Sequence, residues 1–334
     1  MSNSRISDTL RFASHLNFRK LVNALKIKSS FYYSLYTKKT GHWGYPYSMS
    51  IEPTTNCNLK CLECPSGLRD LKRKGGNIDI QKFISILEEV HPYLMSLILY
   101  FQGEPLMHQN FSGLVKLAKE KRIYTITSTN AHYLDDENCK ALINSGLDRL
   151  IVSYDGTTQE SYAGYRAGGE LKKVEAGIEN LIKWKEKLKK SNPYIVLQFL
   201  VLGTNESQID EAKQKAKQWK LPLQLKSAQV YDFENNSFLI PKNEKFSRYK
   251  KDVDGNFVLK GKFHNRCFRM WSGAVICWDG TLVPCCFDKD ADHKMGNLNQ
   301  KSFKSMWRSK EYKSFRKKVF TDRKGIEMCR NCTE

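Results

Sequence analysis

Thr54-Thr55-Asn56-Cys57-Asn58-Leu59-Lys60-Cys61-Leu62-Glu63-Cys64-Pro65 is the stretch that decides how the rest of this chain is read. Three cysteines fall within eight residues, spaced Cys-x3-Cys-x2-Cys. The strand-like run Ser48–Glu52 precedes them, so they sit at the C-terminal end of a predicted strand. A structural zinc ion closes with four protein ligands, often as two separated Cys pairs. Three thiolates on one short loop instead suit a cubane iron–sulfur cluster that leaves one iron open to another molecule. The competing reading is a zinc loop that borrows its fourth ligand from elsewhere.

Downstream of the loop, strand-like and helix-like runs alternate. The strands are Ser48–Glu52, Ser96–Phe101, Tyr124–Ser128, Arg149–Tyr154, Ile195–Leu202 and Leu223–Ala228. The helices between them lie near Ile80–Val90, Phe111–Lys121, Asp135–Asn144, Leu171–Lys189 and Glu206–Trp219. Leu171, Val174, Ile178 and Leu181 form one apolar face, and Ile209, Ala212, Ala216 and Trp219 form another. Pro193 is expected to stop the fourth helix. Alternation of this kind implies a parallel sheet with right-handed crossovers. Six units do not close an eight-stranded barrel. The expected fold is therefore α/β, a partial (β/α)6 TIM-like barrel with its functional groups at the strands' C-terminal ends.

The chain has 334 residues, 40% of them hydrophobic, which excludes wholesale disorder and leaves room for about two domains. Residues 1–47 read as a basic, helical leader, 48–230 as the barrel and 231–334 as a Cys-rich module. In the leader, Phe18, Leu21, Val22 and Leu25 fall at helical spacing among Arg19, Lys20, Lys26 and Lys28. Such a helix suits either peripheral contact with a membrane or packing on its own domain. Net charge is +20, which suits an anionic partner, although solvated Lys-rich helices give the same number. No apolar stretch reaches the roughly 18 residues of a transmembrane span, and residues 1–28 hold no secretory apolar block. A cytoplasmic protein is expected. In a reducing compartment its ten cysteines read as metal ligands rather than disulfides.

Cys-x3-Cys-x2-Cys after the first strand of a six-unit βα chain resembles the radical S-adenosylmethionine (SAM) superfamily. The resemblance implies that Cys57, Cys61 and Cys64 hold a [4Fe–4S] cluster. It implies that the methionine end of SAM chelates the fourth iron, and that reductive cleavage gives a 5′-deoxyadenosyl radical that abstracts a substrate hydrogen. Gln102-Gly103-Glu104-Pro105 follows the second strand and is similar to the family's Gly-Gly-Glu-Pro motif, which contacts the methionine amino group. Strand three ends at Thr127-Ser128-Thr129-Asn130, and strand four at Ser153-Tyr154-Asp155-Gly156 with Tyr165-Arg166 beyond it. By resemblance Gly103, Glu104, Asn130, Ser153, Arg166 and Gln198 are the cofactor-binding residues, the Ser and Arg serving the ribose or carboxylate. Gln198 lies on the fifth strand, where the family packs adenine. Two departures stand out. Glu63 occupies a position that is usually aromatic, and Gln102 replaces the first Gly of the motif.

The tail resembles the SPASM and Twitch modules of radical enzymes. The resemblance rests on Cys267, on Trp278-Asp279-Gly280-Thr281-Leu282-Val283-Pro284-Cys285-Cys286, on Met295-Gly296-Asn297-Leu298 and on Cys329-x2-Cys332. The denser Cys run of full SPASM modules is missing. The resemblance then implies one auxiliary [4Fe–4S] cluster on Cys267, Cys285, Cys329 and Cys332, with Cys286 the rival of Cys285. Cys277 and Cys139 read as buried small hydrophobes. Among seven scattered histidines, His108 is the one placed next to a motif.

Together these features imply a radical SAM enzyme catalysing a two-electron oxidation, with an electron donor such as flavodoxin or ferredoxin and an anionic small molecule or peptide as substrate. The alternatives are a peptide-modifying maturase, a redox-neutral epimerase and a zinc-containing RNA-binding protein. The last would use the net charge and Phe31, Tyr32, Tyr33 and Tyr36.

Overall fold

Alternation along each strand sorts the residues of the barrel wall. The computed structural model describes residues 2–333. Its first six strands are β1 (Ser48–Ile51), β2 (Ser96–Ile98), β3 (Tyr124–Thr129), β4 (Arg149–Ser153), β5 (Tyr194–Val201) and β6 (Leu223–Ser227). They pair in parallel and in chain order. Met49, Ile51, Leu97, Leu99, Leu150, Val152, Leu197 and Phe199 are buried in one cluster with Phe83, Leu87, Leu114 and Leu142 of the surrounding helices. The alternate residues, among them Ser50, Glu52, Tyr100, Ser128, Ser153 and Gln198, form the other face. A flat parallel sheet would carry apolar residues on both faces. Here the second face is polar and partly open, the lining of a curled, incomplete barrel.

The sheet continues into the tail. After a small antiparallel hairpin, β7 (Tyr249–Lys251) with β8 (Phe257–Leu259), strand β9 (Gly273–Ile276) pairs in parallel with β1 on the side away from β2. The register runs from Ser48 opposite Gly273 to Ile51 opposite Ile276. Strands β10 (Thr281–Val283) and β11 (Gly296–Asn297) extend this edge antiparallel, giving nine strands in all. Residues 48–230 and the Cys-rich tail therefore share one sheet.

Side-chain caps start several helices. Asp79 accepts from the backbone N–H of Gln81 and Lys82, and Asp135 from that of Asn138. The helix Leu171–Lys187 ends well before Pro193. Its last turn is closed at Leu188, and Lys189 then adopts a left-handed φ of 51°. Pro193 is thus not the stop that the sequence suggests. A further helix, Gln159–Tyr165, capped by Thr158, is too short to register as a periodic pattern.

Two leader helices, α1 (Ser2–Ser14) and α2 (Phe18–Thr37), lie across the N-terminal ends of the strands. Asp8 of α1 accepts from the Tyr124 hydroxyl and pairs with Arg149, at the starts of β3 and β4. Lys20 of α2 donates to the Arg122 carbonyl at 2.8 Å, and Asn23 exchanges two hydrogen bonds with the Tyr45 backbone. Phe31 meets Phe268 and Trp271 edge-on, just before β9. The face turned to the barrel is Lys20, Asn23, Ile27, Ser30, Phe31 and Ser34. Of the stripe read as apolar in the sequence, Phe18, Leu21 and Leu25 point outward and Val22 is half-buried. Among the described residues no helix is long and apolar enough to cross a membrane.

Candidate functional site

The Cys57–Cys64 loop leaves the C-terminal end of β1 and is held by the neighbouring strand ends. Gly103, after β2, has φ of 74°, and a Cβ there would come within 2.5 Å of the Thr54 carbonyl oxygen. Only glycine allows that approach. Its N–H donates to Ser66 Oγ, and the Glu104 N–H donates to the Asn56 carbonyl at 2.7 Å. The Glu104 side chain is buried and faces inward to the chain. It accepts from Thr129 Oγ1 at 2.8 Å and from the N–H groups of Asn130 and Leu106 at 2.7 and 3.2 Å. Burial raises its pKa, and these donors oppose the rise. Glu104 thus ties the ends of β2 and β3 together and aims Asn130. The Asn130 amide donates to Asn58 Oδ1 at 2.8 Å and lies 4.0 Å from Cys57 Sγ.

Arg166 approaches the loop from the other side. Its Nε and Nη2 reach Asp155 Oδ2 at 2.7 and 2.5 Å, and its Nη1 lies 3.8 Å from Cys61 Sγ. Asp155 is fully buried and also accepts from the Leu200 N–H, so the guanidinium is fixed in direction. Burial pushes the Cys57 thiol up to about 11 and raises Cys61, where Arg166 pulls the other way. Ser153 is buried at the end of β4, and Gln198 stands opposite it in register on β5. The six sequence-nominated cofactor residues and the three loop cysteines thus all belong to one end of the barrel.

The tail cysteines belong to one module. Cys267 lies in electrostatic reach of Cys329, Cys332 and the Arg323 guanidinium, and Cys285 in reach of Cys267. Burial pushes Cys267 up to about 11, with Arg323 opposing. Arg323 is itself buried and donates to the carbonyls of His264, Arg266 and Cys332, joining both ends of the module. Cys286 turns to the barrel side, against Val275, Cys277, Val283 and Ala291. Cys285 and the Arg269 guanidinium, 3.2 Å away, both donate to its sulfur and lower it to about 6. Cys277 and Cys139 are fully buried. The donor sets suit iron–sulfur clusters. Each combines soft thiols, buried or part-buried, with a guanidinium that favours the thiolate, although among the described residues no three His, Cys, Asp or Glu side chains are drawn together as a ready-made metal site.

A cavity of about 1170 Å³ runs along the tail module from Cys332 to Pro65 at the end of the cluster loop, lined by none of the other cluster cysteines or the six cofactor residues. Its wall includes Pro65 next to Cys64, Tyr231, Phe233, Lys289, Arg330 and Cys332. Lys289 Nζ sits 4.3 Å over the Tyr231 ring.

Three structural residues escape the sequence reading. Glu63, noted only as a departure, is buried. It accepts from the Tyr231 N–H at 2.7 Å and the Asn236 amide at 2.6 Å, pinning the chain that leaves the barrel. Glu52 makes a two-pronged ion pair with Arg73 at 2.6 and 2.7 Å and accepts from the Trp278 N–H, locking β9 to β1. Arg323 carries no motif at all. His108 is a structural residue, its ring nitrogens engaged by the Ile78 carbonyl and the Asn110 N–H.

The radical SAM superfamily model matches residues 51–216, and the SPASM iron–sulfur cluster-binding domain model matches residues 267–333. The chain belongs to the radical SAM superfamily and carries a C-terminal SPASM domain. The family implies a [4Fe–4S] cluster and SAM at the barrel, and auxiliary iron–sulfur in the SPASM domain. A tungsten-containing aldehyde ferredoxin oxidoreductase cofactor-modifying protein of Pyrococcus furiosus is 26% identical over 80% of this chain and 82% of its own length. A PqqA peptide cyclase of Gluconobacter oxydans is 24% identical over 65% of this chain, which spans 59% of that protein. Among solved structures, BtrN in complex with AdoMet and 2-DOIA shares the fold at 18% identity, with a TM-score of 0.53 over 87% of this chain and 94% of its own.

Proposed function

We propose that this enzyme performs a net two-electron oxidation on a substrate held between the cluster loop and the tail. The observation that supports this is one continuous cavity whose wall runs from Pro65, beside Cys64, to Cys332. With both sites filled, SAM and its [4Fe–4S] cluster would supply the power to abstract a substrate hydrogen atom, and one auxiliary [4Fe–4S] cluster would supply a one-electron acceptor. Loss of a hydrogen atom, an electron and a proton together gives the oxidised product. Cys57, Cys61 and Cys64 would hold the first cluster, and Cys267, Cys285, Cys329 and Cys332 the second. Gly103, Asn130, Ser153, Arg166 and Gln198 orient SAM. Glu104 does so through its backbone, because its carboxylate is held by Thr129, Asn130 and Leu106. Flavodoxin or ferredoxin is the class of donor that suits the first electron. Basic residues outnumber acidic ones on the cavity wall six to four, which suits an anionic substrate.

A second reading is oxidative modification of a peptide. The cavity exceeds the roughly 300–1,000 Å³ of small-molecule pockets, and the relatives include a peptide cyclase. One experiment separates the readings. Reconstituted enzyme is incubated anaerobically with dithionite, SAM and either the small-molecule or the peptide fraction of a deuterated cell extract. Deuterium in 5′-deoxyadenosine from the small-molecule fraction supports the first reading, and from the peptide fraction the second. A product that has lost two hydrogens supports oxidation. A product with the same number of hydrogens, one deuterium having been replaced by hydrogen, would make epimerisation the better account.

A further inference from the structure

The leader helix α2 is amphipathic in the reverse sense. A surface helix ordinarily turns its apolar stripe to the core. Here the buried face is largely polar, Lys20, Asn23, Ser30 and Ser34 alongside Ile27 and Phe31. The apolar residues are exposed: Phe18 by 84%, Leu25 by 64% and Tyr36 by 79%, with Leu21 and Tyr32 between them. At 100° per residue these five fall within about 60° of arc, directly opposite the buried set. Ile6 and Leu10 of α1 are exposed by 56% and 65%, one helical turn apart, and Trp43 beyond α2 by 49%.

Charge on the same surface has one sign. Arg5, Arg19, Lys26, Lys28, Lys38 and Lys39 are exposed. The leader's one acidic residue, Asp8, is buried against Tyr124 and Arg149. Beside α2 a groove of about 430 Å³ combines Phe18, Val22 and Trp43 with Arg19, Lys26 and Arg308. We propose that the outer face of α1 and α2 docks on an anionic lipid bilayer surface. The apolar stripe enters the acyl boundary, the tyrosines and Trp43 lie at headgroup level, and the flanking cations meet lipid phosphates. A nucleic acid would use the cations and aromatic rings but has no counterpart for Ile6, Leu10, Leu21 and Leu25. The helices cover the N-terminal ends of the strands, so the cysteine loop at the opposite ends faces away from the bilayer. This inference does not depend on the reaction catalysed.

The test uses the full-length, reconstituted enzyme in vesicle flotation, with phosphatidylcholine vesicles and with vesicles in which phosphatidylglycerol replaces a quarter of the lipid. Binding to the mixed vesicles that falls as salt rises is expected, with little binding to phosphatidylcholine alone. The exposed-face variant Phe18→Ser/Leu25→Ser and the charge variant Lys26→Glu/Lys28→Glu should each weaken binding about tenfold, with SAM cleavage unchanged as proof of folding. No binding by the parent enzyme would overturn the proposal, as would binding that neither variant weakens. A dimer in sedimentation that Phe18→Ser/Leu25→Ser abolishes, without vesicle binding, would assign the face to a second copy of the chain instead.

Discussion

The two cysteine sets are built in opposite ways. Cys57, Cys61 and Cys64 share one loop whose shape is set by parts that are themselves folded: Gly103 beneath it, Asn130 and Arg166 on either side. Cys267, Cys285, Cys329 and Cys332 come from three separate stretches, of which Arg323 joins the first and the last and a bound cluster would join all three. The first set is scaffolded by the barrel, whereas the second helps to scaffold its own module. Loss of iron should therefore cost chemistry at one site and both chemistry and structure at the other.

The largest effect should come from Cys57→Ala/Cys61→Ala/Cys64→Ala. Formation of 5′-deoxyadenosine should fall to background, about half the iron should be lost, and the unfolding midpoint should hardly move. Cleavage that persists would break the comparison at its root. The double variant Cys329→Ala/Cys332→Ala should retain SAM cleavage within about twofold, fail to complete product and melt several degrees lower. Full product yield from a folded variant would remove the electron-acceptor role and leave the tail as a lid.

Asp155→Asn sharpens the scaffold side of the comparison. It leaves Arg166 without its buried partner, and a loss of about 3–5 kcal/mol in denaturant unfolding is expected, with slower SAM cleavage. An unchanged stability would mean that Cys61 alone positions the guanidinium.

The smallest effect concerns acid. His42 lies between the leader and the tail, against Trp271 and Trp307. Burial and Arg316 hold it down at about 2, although its ring nitrogens face the carbonyls of Trp271 and Gly44. The unfolded ring titrates near 6.5, so below that pH the unfolded state takes up the proton and the native state does not. Stability should drop by about 2 kcal/mol from roughly pH 7 to pH 5 through this group. His42→Gln should flatten that arm in denaturant titrations. An identical acid slope in the variant would assign the loss to other groups.

The readable parts of the molecule are those whose causes are local. Strand alternation, helix faces and the Cys-x3-Cys-x2-Cys spacing each lie within one segment, and the first six strands form where expected. What escapes has partners far away in the chain. Glu63 acts through Tyr231 and Asn236, Glu52 through Trp278, and β9 through β1, and no short window contains both members of such a pair. The leader is an intermediate case. Periodicity discloses the stripe of Phe18, Leu21 and Leu25 but not which way it turns, because direction depends on Lys20 and Asn23 finding backbone partners at Arg122 and Tyr45.

Strand β9 has a consequence in time. It is the neighbour of β1 in the sheet, yet about 220 residues are made between them. At roughly 5–20 residues per second, a ribosome takes about 10 to 45 s over that interval. Throughout it one edge of β1 lacks its neighbour, the kind of edge that invites pairing with another chain. Cys57, Cys61 and Cys64 already exist beside that edge, while Cys267 does not. The order of synthesis therefore presents the loop thiols to iron before the tail thiols are made.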